Sequence, residues 1–98
     1  MRKIPTRIEI FGQEITIVQV DDLLERERRH GDWRADVNII RVQTPSKDHP
    51  KDVCFQTYFH EVVHAALDLL GYDELSEDEA FVERLGQAPY QADKTRYG

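Results

Sequence analysis

The first half of the chain alternates between apolar and polar positions in two stretches. Isoleucines and valines recur with a period of two from Arg7 to Val20, which predicts two strands joined as a hairpin through Gly12-Gln13. The stretch from Trp33 to Val42 predicts one further strand, whose expected buried side chains are Val37, Ile39, Ile40 and Val42. Between them, residues 21–29 predict a short helix or a polar excursion, and residues 43–50, which contain two prolines, predict a loop.

The second half of the chain has helical periodicity instead. Apolar residues at spacings of three and four predict a helix from about Lys51 to Leu70, with Gly71 as a left-handed residue at its end. The expected apolar face consists of Phe55, Phe59, Val62, Val63, Ala66, Leu67 and Leu70. The run from Ser76 to Glu79 has the form of a capping box, which predicts a second helix to about Ala88, ended by Pro89.

Strands followed by helices indicate an α+β fold. The 98 residues fit a single domain, in which residues 1–50 are rich in strands, residues 51–89 are helical and residues 90–98 form a polar tail.

Charge and cysteine content narrow the functional classes. The net charge of −6 comes entirely from residues 51–98, which contain ten acidic and four basic residues. Binding to a nucleic-acid backbone is therefore not expected. The single cysteine, Cys54, excludes an internal disulfide and a cysteine-rich metal site, and it is expected to be a small core residue. The N-terminal segment lacks the apolar run of a signal peptide and no stretch reaches membrane-spanning length. A cytoplasmic location without membrane contact is expected.

The chemistry of the chain is concentrated in His60-Glu61-Val62-Val63-His64. Side chains four residues apart on a helix share one face, with Cβ atoms about 5–6 Å apart, so His60 and His64 can bind one metal ion. Imidazole nitrogens suit zinc, and a three-ligand zinc site leaves one open position. Glu61 lies beside that position and can act as the general base toward a zinc-activated water. The pattern therefore predicts a Zn²⁺ site with Glu61 as the catalytic residue.

The third zinc ligand is expected on the second helix, where Glu83 and Glu79 compete. If that helix starts at Glu77 and runs antiparallel to the first, Glu83 reaches the level of the metal, while Glu79 lies only about 3 Å along it. Glu79 can also close the capping box with Ser76. Glu83 is therefore favoured as the ligand, and the glutamate that does not bind zinc is a candidate for orienting a histidine.

These residues resemble the gluzincin branch of zinc metallopeptidases, in which two histidines and a downstream glutamate bind zinc and the motif glutamate is the base. Eighteen residues separate His64 from Glu83, as in some large gluzincin aminopeptidases. The run Phe81–Gly86 looks like the third-ligand segment of small phage and prophage zincin-like proteins. The resemblance covers about Val53–Gln87 and implies a minimal zincin-like fold, with a short antiparallel or mixed sheet before the motif helix.

The resemblance also raises two questions about substrate binding. The larger gluzincins stabilise the oxyanion with a histidine or tyrosine, for which no counterpart is specified here; Tyr72, Tyr90 and Tyr97 are candidates. In zincins a strand edge near the motif often holds an extended peptide, and the Val37–Val42 strand could do this here.

Other polar and aromatic residues are expected to serve structure. Asp68 could bond a ligand histidine but is expected to be a solvated surface residue, and Trp33 is expected to pack on the sheet. His49 is expected to be a loop or helix-entry residue, and His30 to be solvated. Three functions follow: a peptidase acting on a peptide or protein substrate, a zinc-binding regulatory or interaction domain without turnover, and a metal-free interaction domain.

Overall fold

The computed structural model describes residues 3–97 and has the expected α+β architecture. Four strands form one mixed sheet in the order β1-β2-β4-β3, namely β1 (Arg7–Ile10), β2 (Gln13–Val20), β3 (Gly31–Arg34) and β4 (Ile39–Gln43). The helices are α1 (Leu23–Glu27), α2 (Lys51–Leu69), α3 (Asp73–Glu77) and α4 (Glu79–Tyr97). No helix within residues 3–97 combines the length and apolarity needed to cross a membrane.

The predicted hairpin is confirmed as β1 and β2. Its turn is one residue earlier than expected, because Gln13 already pairs with Ile10 and the turn residues are Phe11 and Gly12. Both have positive φ angles, 50° and 78°, as a two-residue hairpin turn requires. The alternation along β2 buries Ile15 and Ile17 in the core.

The prediction of one strand from Trp33 to Val42 is wrong, since the segment forms two strands, β3 and β4, joined at residues 35–38. Asn38 adopts a left-handed conformation with φ of 53°, and Val37 lies in the turn, 54% exposed instead of buried. Strand β4 is central, parallel to β2 and antiparallel to β3. The Val37–Val42 segment therefore offers no open edge, and the edge strand on this side of the sheet is β3.

Helix α2 spans nearly the predicted range and carries the motif across the sheet, although Leu70, predicted on its apolar face, is the C-terminal cap and is 52% exposed. Cys54, Phe55 and Tyr58 are buried in a core shared with Ile40, Val42 and Tyr90, which confirms the expectation for Cys54. Gly71, with φ of 81°, ends the helix as expected: its N–H donates to Asp68 O (3.0 Å), and Tyr72 N–H donates to Leu67 O (2.9 Å).

The predicted limits of the second helix are wrong at both ends. Ser76 lies within the short helix α3, and the N-terminal cap of α4 is Asp78, whose Oδ1 accepts from Phe81 N–H (3.1 Å).

At the other end, α4 continues through Pro89 to Tyr97, so the 90–98 segment is helical as far as it is described. Proline inside a helix costs about 3 kcal/mol. Tyr90 offsets this cost, because its ring is buried and its hydroxyl donates to Asp52 Oδ2 of α2 (2.6 Å).

Candidate metal centre

His60 and His64 lie one turn apart on α2, facing the start of α4. The carboxylate of Glu79 contacts both, with Oε2 3.0 Å from His60 Nε2 and Oε1 3.0 Å from His64 Nε2. One potential ligand atom from each of these three side chains lies within 4.8 Å of the others. The fold thus brings two imidazole nitrogens and one carboxylate together.

The Nδ1 atoms of the two histidines have separate partners. Glu83 Oε2 lies 2.9 Å from His60 Nδ1, and Ser76 Oγ lies 3.1 Å from His64 Nδ1. The two nitrogens of an imidazole point in different directions, so Glu83 lies on the far side of the His60 ring from Glu79. Partners at Nδ1 fix the tautomer and the orientation of a metal-binding histidine.

The two premises that favoured Glu83 over Glu79 do not hold in the structure. Glu79 does not close a capping box with Ser76, since Asp78 caps α4 and Ser76 contacts His64. Ser76, within α3, already contacts His64, so the chain has returned to the level of the motif before α4 begins. As a result, the first turn of α4 lies level with the motif, and Glu79 reaches both histidines.

Glu61 is buried, although it is acidic and lies at the wall of a cleft. Only 7% of its surface is exposed, and it lines the cleft together with His60 and His64. Burial raises the pKa of Glu61 to about 8, and the negative charges of Asp32 and Glu79 act in the same direction. A carboxyl group with this pKa can both accept and release a proton near neutral pH.

The cleft has a volume of about 610 Å³ and lies between the edge strand and the helices. Residues 29–33 line one side, and α2, Glu79 and Glu83 line the rest. His30 O accepts from Gln43 N–H, so the backbone groups of His30 point to β4. In an antiparallel pair every second residue bonds to the partner strand, so the backbone groups of residues 32 and 34 also point to β4. The backbone N–H and C=O groups of Gly31 and Trp33 consequently point away from the sheet, along the open edge.

Polar contacts anchor the edge strand on both of its faces. Trp33 Nε1–H donates to Asp68 Oδ2 of α2 (2.8 Å), so Asp68 is a partner of Trp33 rather than the solvated residue expected. On the other face, Arg41 of β4 bonds Asp32 (2.9 Å from Nε) and Glu27 (2.9 Å from Nη1), and the Arg41 contacts lower the pKa of both carboxyl groups.

None of the three tyrosines named as oxyanion candidates lines the cleft. Tyr72 is exposed beyond the end of α2, the Tyr90 hydroxyl bonds Asp52, and Tyr97 lies in the last turn of α4 beside Arg96.

The sequence did not predict that His30 lines the cleft, nor that His49 is completely buried with its ring stacked on that of His30. No sequence pattern marked this pair, because the two histidines are nineteen positions apart and meet only through the sheet.

Comparison with known proteins gives no match for this chain among family models, curated proteins or solved structures.

Proposed function

We propose that this chain is a zinc-dependent peptidase in which His60, His64 and Glu79 bind the metal and Glu61 is the general base. The observation that carries the proposal is the Glu79 carboxylate, which faces the Nε2 atoms of both motif histidines at 3.0 Å. Glu83 is assigned the supporting position at His60 Nδ1, where it orients the ring.

The donor set fits zinc in chemistry and in number. Two imidazole nitrogens and one carboxylate oxygen are the protein ligands of known catalytic zinc sites, which keep a fourth position for water or substrate. Calcium and magnesium prefer oxygen donors, so two histidines argue against them. The Nδ1 contacts of both histidines leave their Nε2 atoms to face the cluster.

A zinc ion bound here would lower the pKa of a coordinated water to about 7 and polarise a substrate carbonyl. Glu61 then takes a proton from the attacking water as its oxygen bonds to the carbonyl carbon. When the C–N bond breaks, Glu61 delivers that proton to the departing nitrogen, so the carboxylate is regenerated. The buried position of Glu61 excludes bulk water from the group that handles the proton.

The open edge of β3 supports an extended peptide as the substrate. The outward backbone groups of Gly31 and Trp33 can pair with a peptide strand that runs along the cleft. This assigns the strand-edge role to residues 31–34, next to the motif. A cytoplasmic location belongs to the same proposal, and the buried free thiol of Cys54 is compatible with a reducing compartment.

Glu61→Gln tests the mechanism. We expect kcat to fall about a hundred- to ten-thousand-fold, because the general base is lost, while one zinc per chain is retained. Zinc content and cleavage of a peptide library are the measurements, with the exposed Glu74→Gln as the control that keeps both. Full activity in Glu61→Gln would show that this base assignment is wrong.

Glu79→Ala and Glu83→Ala separate the two glutamates. We expect Glu83→Ala to weaken zinc binding about 10–100-fold, as loss of an orienting partner does, and Glu79→Ala to weaken it more. Competition with a calibrated chelator measures both affinities. The reverse order would return Glu83 to the ligand position.

A zinc-binding regulatory or interaction domain without turnover is the second candidate. It is favoured by one observation, that the tyrosines considered for the oxyanion lie away from the cleft. Such a domain would bind one zinc per chain and cleave nothing in the library that tests Glu61→Gln.

A further inference from the structure

The stacked pair of His30 and His49 lies outside the proposed zinc ligands. His30 lies between α1 and β3 and lines the cleft, while His49 lies just before α2 and is 2% exposed. Their ring centroids are 4.9 Å apart at an interplanar angle of 22°, and their Nδ1 atoms are 3.3 Å apart. A hydrogen bond between two Nδ1 atoms requires that only one of them carry the proton.

The surroundings of His49 decide which nitrogen carries it. Its Nε2 is buried without a hydrogen-bond partner among the described residues 3–97. An N–H at that position would be an unsatisfied buried donor, which is rarer in proteins than an unsatisfied acceptor. Burial, together with the neighbouring His30, lowers the pKa of His49, so its ring is neutral. The proton of His49 is therefore on Nδ1 and is donated to His30 Nδ1.

This arrangement places the proton of neutral His30 on Nε2. An imidazole that accepts at Nδ1 keeps its own N–H at the other nitrogen. The indole N–H of Trp33 is engaged with Asp68, whereas Arg29 and Gln56 each direct one N–H to a carboxylate, of Asp32 and Asp52 respectively. His30 contributes a donor whose direction is fixed by a buried partner.

We infer that the Nε2–H of His30 donates a hydrogen bond to a carbonyl oxygen of the peptide bound in the cleft, and that His49 is the positioning residue that sets its tautomer. The inference rests on the proposed peptidase function. The acceptor is either the reacting carbonyl or a neighbouring one along the peptide. The effects of substitution on kcat and KM distinguish these two.

Proton positions are measured by long-range ¹H–¹⁵N correlation spectra of the histidine rings, which require neither turnover nor substrate. We expect His49 to carry its proton on Nδ1 and His30 on Nε2. His49→Phe keeps a ring for stacking but removes the donor, so the fixed tautomer of His30 should be lost. A proton on Nδ1 of His30 in the unaltered protein overturns the inference.

Substrate contact is measured with a zinc-loaded protein and a phosphinic peptide, whose anionic oxygen imitates the attacked carbonyl. We expect His30→Ala to weaken its binding about tenfold or more and His30→Gln, which keeps an N–H donor, to weaken it less. Lys47→Ala, an exposed change in the loop before His49, is the matched control. Zinc content and circular dichroism establish that each variant is loaded and folded.

The peptide that the unaltered enzyme cleaves completes the test. A lower kcat at constant KM in His30→Ala assigns the bond to the reacting carbonyl, and a higher KM at constant kcat assigns it to a neighbouring one. Unchanged kinetics and unchanged phosphinic-peptide binding overturn the inference while the peptidase proposal stands. If the unaltered protein binds zinc but neither cleaves nor binds these peptides, the peptidase proposal fails and the inference fails with it, whatever the tautomers show.

Discussion

The carboxyl group of Glu61 is 7% exposed on α2, and such burial disfavours its ionised form. Its pKa of about 8 shows that the folded chain favours the protonated form, since burial and the charges of Asp32 and Glu79 all oppose ionisation. Glu61 therefore destabilises the metal-free protein at neutral pH. This cost is understandable if the residue handles a proton during the reaction.

A pH dependence of stability follows from Glu61. Its folded-state pKa lies above the ordinary value of 4.5, so the folded state holds a proton that the unfolded state loses. The contribution of Glu61 to the free energy of unfolding therefore falls as pH rises from about 4.5 to 8. Each pKa unit corresponds to about 1.4 kcal/mol, which gives a loss of a few kcal/mol above pH 8.

Glu61→Gln should remove this loss. We expect the metal-free variant to be more stable than the unaltered protein at pH 8 and equally stable near pH 4, as measured by urea unfolding across the range. Chelator must be present throughout, because a bound dication favours the ionised carboxylate. An equal stability difference at all pH values would contradict the argument.

At the scale of elements, the cleft depends on how closely β3 approaches α2. A Cβ atom at Gly31 would lie 2.6 Å from Arg41 O of the neighbouring strand and 2.7 Å from Thr57 Cγ2 of α2. Both distances are shorter than real Cβ contacts allow, and one involves backbone that cannot move alone. Glycine at this position lets the edge strand lie against the motif helix.

Gly31→Ala should therefore separate β3 from α2. We expect a loss of about 1–3 kcal/mol, typical of overpacking, together with a higher KM because the strand edge moves. Gly86→Ala on α4 is the matched control, since its Cβ would meet His60 Cα at 3.4 Å, an ordinary contact. Helix propensity favours alanine there by up to about 1 kcal/mol. Urea unfolding measures the stability of both variants, and equal losses of stability would refute the packing argument.

At the scale of the whole molecule, the features predicted from sequence are those decided locally. The hairpin, α2 and its glycine end follow from patterns within a few residues of each other. The continuation of α4 past Pro89 and the choice of the third zinc ligand depend instead on contacts between segments that are distant in the sequence. Tertiary contacts of Tyr90 with α2 hold α4 together beyond the proline. The position of Glu79 depends on the separate short helix α3, whereas the apparent capping box at Ser76–Glu79 predicted that the second helix starts there.

The proposed metal ligands come from two helices that only the folded chain brings together. His60 and His64 lie on α2 and Glu79 on α4, so zinc should bind the folded state in preference to the unfolded one. Free zinc at a hundred times its Kd then stabilises the fold by about 2.7 kcal/mol. For a domain of this size that corresponds to a rise in Tm of about 10–20 °C.

Calorimetry with and without zinc measures this linkage. We expect the rise in Tm to disappear with chelator and in His60→Ala, to be strongly reduced in Glu79→Ala at the same zinc concentration, and to be larger in Glu83→Ala than in Glu79→Ala. Magnesium should have little effect, since it binds oxygen ligands. An unchanged Tm with zinc in the unaltered protein would exclude the site altogether, because a metal that joins α2 to α4 must stabilise the fold. A rise that survives His60→Ala would place the zinc elsewhere in the chain.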